Sequence, residues 1–114
     1  MGGMTMTIGI DFDGTIIEHA YFPSTKMKPL PYAISAIKKL AKMGHRLVLC
    51  SARYGWYREI AHGFIMAHNL PIEVSKARLK PSCDIYIDDR NFGCEKIDWK
   101  EIVKEIERKS KCIT

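Results

Sequence analysis

The first apolar strand of this chain ends on acid. Residues 7–17 read T-I-G-I-D-F-D-G-T-I-I, in which Ile8 and Ile10 have the character of a buried strand and Asp11 and Asp13 follow two places apart. Side chains of an extended chain alternate with period two, so both carboxylates point to one side. Gly14 permits a turn or a close backbone approach that a Cβ would block, and Thr15 can bond back to the N–H groups that such a turn frees. Two ionised carboxylates this close repel, and a fold keeps them only where a cation or a shared proton compensates. The alternative is a solvated Asx-turn at a strand end, which the apolar residues on either side of the pair disfavour.

The remaining pattern is that of an α/β frame. Thr5 to Ile10 forms the first strand, and Glu18 to Pro29, with two prolines and no periodicity, reads as a surface loop beside the acidic turn. Pro31 opens a helix whose apolar positions Ala33, Ile34, Ile37, Leu40 and Ala41 repeat at helical spacing, and Gly44 closes it. Arg46 to Cys50 is a short apolar strand followed by Ser51-Ala52-Arg53. Trp56 to His68 carries a second helical stripe, Ile60, Ala61, Phe64 and Ile65, weakened by Gly63. Ile72 to Ser75 is a brief third strand. A basic segment, Lys76 to Pro81, then leads to a fourth strand, Asp84 to Ile87, which runs into the second acidic pair, Asp88-Asp89. Asp98 and Glu101 make a capping box for the last helix, with Trp99, Ile102, Val103 and Ile106 as its stripe.

These elements predict a single Rossmann-like α/β domain over residues 1–114, its sheet mainly parallel and helices on both faces. Residues 1–4 and 110–114 read as flexible ends, the tail fraying after Arg108. The intervals between strands are too short for a separate cap domain. In open parallel sheets the carboxyl ends of the strands share one edge, where ligands bind. Asp11 and Asp13, Ser51, and Asp88 and Asp89 are therefore expected to meet in one crevice.

Composition narrows the chemistry. No apolar run approaches bilayer length and the N-terminus lacks the make-up of a signal peptide, so a cytoplasmic protein with no membrane partner is expected. Cys50, Cys83, Cys94 and Cys112 have no zinc-ligand spacing and read as reduced thiols. His45, His62 and His68 fall on or beside helices as satisfied or surface residues, and His19 stands on the loop after the acidic turn. The net charge of +5 gathers in Lys38, Lys39, Lys42 and Arg46 and again in Lys104, Arg108, Lys109 and Lys111. Both clusters read as solvated helix faces, not interleaved with aromatics as a nucleic-acid platform would be.

The expected crevice offers oxygen ligands without sulfur or imidazole, a set that suits Mg²⁺. Such a cation would let a phosphate dianion approach the carboxylates, with Lys80, the Ser51 hydroxyl and turn N–H groups neutralising the rest of its charge.

D-F-D-G-T at 11–15, the apolar strand ending in Ser51, Lys80, and I-D-D at 87–89 resemble, in order and strand context, the four motifs of the haloacid dehalogenase superfamily. The segment from Lys80 to Asn91, K-P-S-C-D-I-Y-I-D-D-R-N, looks like that of small capless bacterial members. The resemblance implies phosphoryl transfer through an aspartyl-phosphate, with Asp11 as nucleophile and Asp13 as general acid and base. It implies phosphate-holding roles for Ser51 and Lys80, with Lys76 and Arg78 as competitors of Lys80. It implies Mg²⁺ held by the Asp11 carboxylate, the Asp13 carbonyl and Asp88, with Asp89 as a further or outer ligand. Thr15, Arg53 and Arg90 stand where they could touch substrate, and Arg53 and Arg90 could equally pair with nearby acids. Tyr54, Trp56 and Tyr57 form either a substrate wall or an aromatic helix entry packed on the core. A phosphorylated small molecule or macromolecule is the expected partner, and a neighbouring subunit could close the open crevice. A binding or regulatory domain with little turnover, recognising phosphorylated or acidic partners through the basic faces, is the alternative function. A receiver domain would need an acceptor acid after the third strand, where Ile72 to Ser75 has none.

Overall fold

Three short strands run side by side in one direction. In this computed structural model, which describes residues 4–19, 24–74, 82–88 and 97–111, they are β1 (Thr7–Ile10), β2 (Arg46–Leu49) and β3 (Ile85–Ile87). Their order is β2-β1-β3, all parallel, with Ile8 opposite Leu47 and Ile85 and Ile10 opposite Leu49 and Ile87. Because side chains alternate, that register stacks Ile8, Ile10, Leu47, Leu49, Ile85 and Ile87 on one face. Beyond β2, Val48 makes an isolated parallel bridge to Glu73, with Leu49 N–H donating to the Glu73 carbonyl and Glu73 N–H to that of Leu47. Of the strand expected over residues 72–75, the described part, 72–74, makes only this bridge, clamped by the two-pronged Arg46–Glu73 ion pair, and Ser75 lies outside the described residues.

Helices α1 (Ala33–Lys42), α2 (Gly55–Ala67) and α3 (Trp99–Lys111) match the three predicted stripes to within one to two residues at each start. Their buried residues, among them Ala33, Ile37 and Leu40, Ala61, Phe64 and Ile65, and Trp99, Val103 and Ile106, join the isoleucines and leucines of the sheet in one core. The single parallel α/β domain is as expected, but all three described helices cover the same face. The reason lies in the direction of travel. The crossovers from β1 to β2 and from β2 to Glu73 step the same way along the sheet, so right-handed connections place α1 and α2 together, and α3 packs against α1. Only residues 74–84 separate Glu73 from β3, fewer than a helical crossover usually takes. No described helix lies on the other face, where Gly9, Val48 and Tyr86 point.

Fraying is expected after Arg108, but the last helix runs on, with residues 112–114 lying outside the described residues. α3 continues to Lys111, with Ser110 buried, its carbonyl accepting the Met4 N–H at 3.1 Å and its hydroxyl lying 3.3 Å from His45 Nε2. His45 Nδ1 accepts the Met6 N–H at 3.0 Å, which fixes a neutral ring with its proton on Nε2. Burial pushes the His45 pKa below its ordinary value. These contacts gather at the amino ends of the strands, away from the acidic turn. There too Asp84 Oδ2 accepts the Thr7 N–H at 2.7 Å.

Candidate active site at the carboxyl edge of the sheet

Each strand hands the chain to the same edge. Cys50 N–H donates to the Ile10 carbonyl and Asp11 N–H to the Ile87 carbonyl, so the ladder continues to the last residue before each turn. Asp11 therefore lies beside Asp88, one step past the Ile10–Ile87 pair, and Ser51 follows β2 on the other side. Parity sends the Asp11 side chain to the face opposite Ile10 and the Asp88 side chain to the face opposite Ile87, the same face.

The turn after Asp11 is tight and well supported. The Phe12 carbonyl faces the N–H groups of Thr15, Ile16 and Ile17, Gly14 N–H donates to the Ile17 carbonyl at 2.9 Å, and Gly14 takes φ 77°, where a side chain would be strained. Asp11 Oδ1 accepts the Phe12 N–H at 2.8 Å, which orients the carboxylate at the mouth of the turn. Trp99, the first residue of α3, donates its indole N–H to the Thr15 carbonyl at 2.8 Å and braces the turn from below. Sequence reasoning placed Trp99 in a core stripe and missed this second role; an indole needing a buried acceptor was the available signal. The loop after the turn is closed at its base, with Glu18 N–H donating to the Lys28 carbonyl and Leu30 N–H to that of Ile16.

Thr15, for which a substrate contact is expected, is fully buried. The turn folds it inward, and its hydroxyl has no hydrogen-bond partner among the described residues.

Arg53 and Asp13 find each other. The guanidinium approaches the carboxylate through Nε at 2.7 Å and Nη2 at 2.6 Å, a bidentate pair that occupies both Asp13 oxygens. Only 2% of the Arg53 side chain is exposed, against 22% for Asp13. Arg53 is held over the rings of Tyr57 at 3.8 Å and Phe12 at 4.8 Å and donates to the Tyr57 carbonyl. Of the two readings of Arg53, pairing with an acid describes its position. Ser51 accepts the Arg53 N–H at 3.1 Å and keeps its own O–H to donate.

The aromatic trio divides. Tyr57 is buried beneath Arg53, whereas Tyr54 and Trp56 stand exposed at the entry to α2. Lys76, Arg78, Lys80, Asp89 and Arg90 lie outside the described residues. Among the described residues no group of three or more His, Cys, Asp or Glu side chains could hold a metal. Asp11 and Asp88, which follow adjacent strands, carry oxygen donors of the kind that suits Mg²⁺. No described helix is long and apolar enough to cross a membrane.

Comparison with known proteins gives the fold independent support. No family profile and no curated protein matches the chain. A solved structure of a conserved protein coded by a locus of Bacteroides thetaiotaomicron is similar to it, at 34% identity over 93% of each chain and a TM-score of 0.80. With that identity sustained over almost the whole of both chains, this protein belongs to the same family as the conserved Bacteroides protein.

Proposed function

We propose that this protein is a Mg²⁺-dependent phosphatase that hydrolyses a phosphomonoester through a phosphorylated Asp11. The observation that carries the reading is the placement of Asp11 and Asp88 at the ends of adjacent, in-register parallel strands, with Ser51 at the end of the third. The D-F-D-G-T resemblance supports it. An Asp11 carboxylate oxygen attacks phosphorus, the P–O bond to the leaving group breaks, and Asp13 gives that oxygen a proton. A water then attacks the phosphorus, Asp13 takes its proton, and phosphate departs from a regenerated Asp11. The Ser51 hydroxyl and Lys80 hold the non-bridging oxygens. Asp11, Asp88 and the Asp13 carbonyl would hold Mg²⁺, with Asp89 as a further candidate; the ion supplies the positive charge that lets one anion approach another.

Asp13 has a condition to meet. Both of its oxygens accept from Arg53, so it must reach a leaving group through a lone pair left on one oxygen or turn away from Arg53 during the cycle. The same pair favours a second reading, in which the site binds phosphate groups with little turnover. Hydrolysis of an aryl phosphate that requires Mg²⁺, stops with EDTA and is lost in a folded Asp11→Asn variant is expected of the phosphatase. Unchanged turnover in that variant would remove Asp11 from its role. Binding of a phosphate analogue with no turnover across a broad panel of phosphomonoesters would establish the second reading instead.

A further inference from the structure

On the face of the sheet away from the helices, Gly9 leaves a gap over which three side chains close. A Cβ on Gly9 would lie 2.8 Å from Cys50 Sγ, 3.0 Å from Cys83 Sγ and 2.7 Å from Cδ1 of Tyr86. The two sulfurs can thus be no farther apart than the first two distances placed end to end. Neither cysteine is in a disulfide, and both are half-buried, within reach of a small reagent. They come from separate parts of the chain, Cys50 from the turn after β2 and Cys83 from the approach to β3, and the missing side chain at Gly9 lets both sulfurs and the edge of the Tyr86 ring converge on one point.

We propose that Cys50 and Cys83 form a dithiol site that a small disulfide oxidant, of the glutathione disulfide class, closes to an intramolecular disulfide across Gly9. One protein thiolate attacks a sulfur of the oxidant, forming a mixed disulfide and expelling one small thiolate. The other protein thiolate then attacks the protein-side sulfur of that mixed disulfide and expels the second. The two cysteines lose two electrons and two protons, and the oxidant gains them as two thiols. Bond formation brings the sulfurs to about 2.05 Å, which takes rotation of both side chains and whatever backbone movement the geometry of a disulfide requires. The bridge does not depend on the phosphatase reading. Its nearest consequence is for the turn that carries Ser51, because Cys50 is the residue before it.

The test uses the full chain with Cys94→Ser and Cys112→Ser, leaving only this pair, treated with glutathione disulfide in buffer and in denaturing urea. The expected product in buffer is a monomer lighter by two hydrogens, with no retained glutathione and both thiols lost to a colorimetric thiol reagent. Closure in buffer should outpace closure in urea by about tenfold or more, since the fold holds the thiols together at high effective concentration. Cys50→Ser in the same background should stop at one retained glutathione on Cys83. Stable glutathione adducts on the two-cysteine protein, unreacted thiols, a disulfide-linked dimer, or equal closure rates in buffer and urea would each overturn the proposal.

Discussion

Removing Asp13 should destabilise the fold more than removing its partner Arg53, although both changes break the same ion pair. The asymmetry follows from where each group sits. Without Asp13, a guanidinium with 2% of its side chain exposed keeps the Tyr57 carbonyl and two ring faces but loses its countercharge. Stranding one member of a buried pair costs about 3–5 kcal/mol. Without Arg53, a carboxylate with 22% of its side chain exposed can take water in the vacated space, and about 1–3 kcal/mol is the expected loss for a partly desolvated group left unpaired. At about 4 °C per kcal/mol for a chain of this size, Asp13→Ala should lower the thermal midpoint by about 12–20 °C and Arg53→Met by about 4–12 °C. Urea titration of the wild type, both single variants and the double variant measures the cycle. The double variant should recover part of the Asp13→Ala loss, because Met fills the aromatic slot without a charge. A smaller loss in Asp13→Ala than in Arg53→Met, or strictly additive losses, would refute the view that Arg53 is the buried member on which the pair depends. The result also bears on the catalytic assay, since an inactive Asp13 variant must first be shown to be folded.

Two further changes report on the scaffold. Thr15→Val removes a buried hydroxyl that has no partner among the described residues; stability in urea should hold or rise by up to about 1 kcal/mol, with aryl phosphate turnover retained. A fall of more than about 1 kcal/mol would mean that the hydroxyl is bonded. The folded-state pKa of His45 lies below its ordinary value, so the unfolded chain takes up the proton first as pH falls. Stability should be greatest above pH about 6.5, decline below it, and level off beneath the folded pKa; His45→Gln should flatten that slope, and an unchanged slope would place its origin elsewhere.

Local patterns in the sequence carried the frame and failed where partners had to be chosen. The stripes over α1, α2 and α3 and the apolar runs of β1 and β2 are repeats of 3.6 and short runs that each element needs for itself, and they are legible without the fold. Residues 72–75 read as a strand because they have the composition of one, yet a single bridge at Glu73 forms, since a strand at the rim has a neighbour on one side only. The direction in which successive crossovers step is a property of the assembled sheet, so no reading of α1 or α2 alone reveals that both lie on the face that α3 shares. The site divides along the same line. Asp11, Ser51 and Asp88 follow apolar strands directly, and parallel pairing alone brings them to one edge. The sequence leaves Arg53 open between substrate and acid because its choice depends on Phe12 and Tyr57, whose rings form its slot from distant parts of the chain. A cation that packs on two aromatic faces and fills both oxygens of the second acid is committed by tertiary structure. Hence the residue that most restrains the proposed acid is one that no motif marks, and in the proposed reaction turnover would depend on how readily that restraint is released.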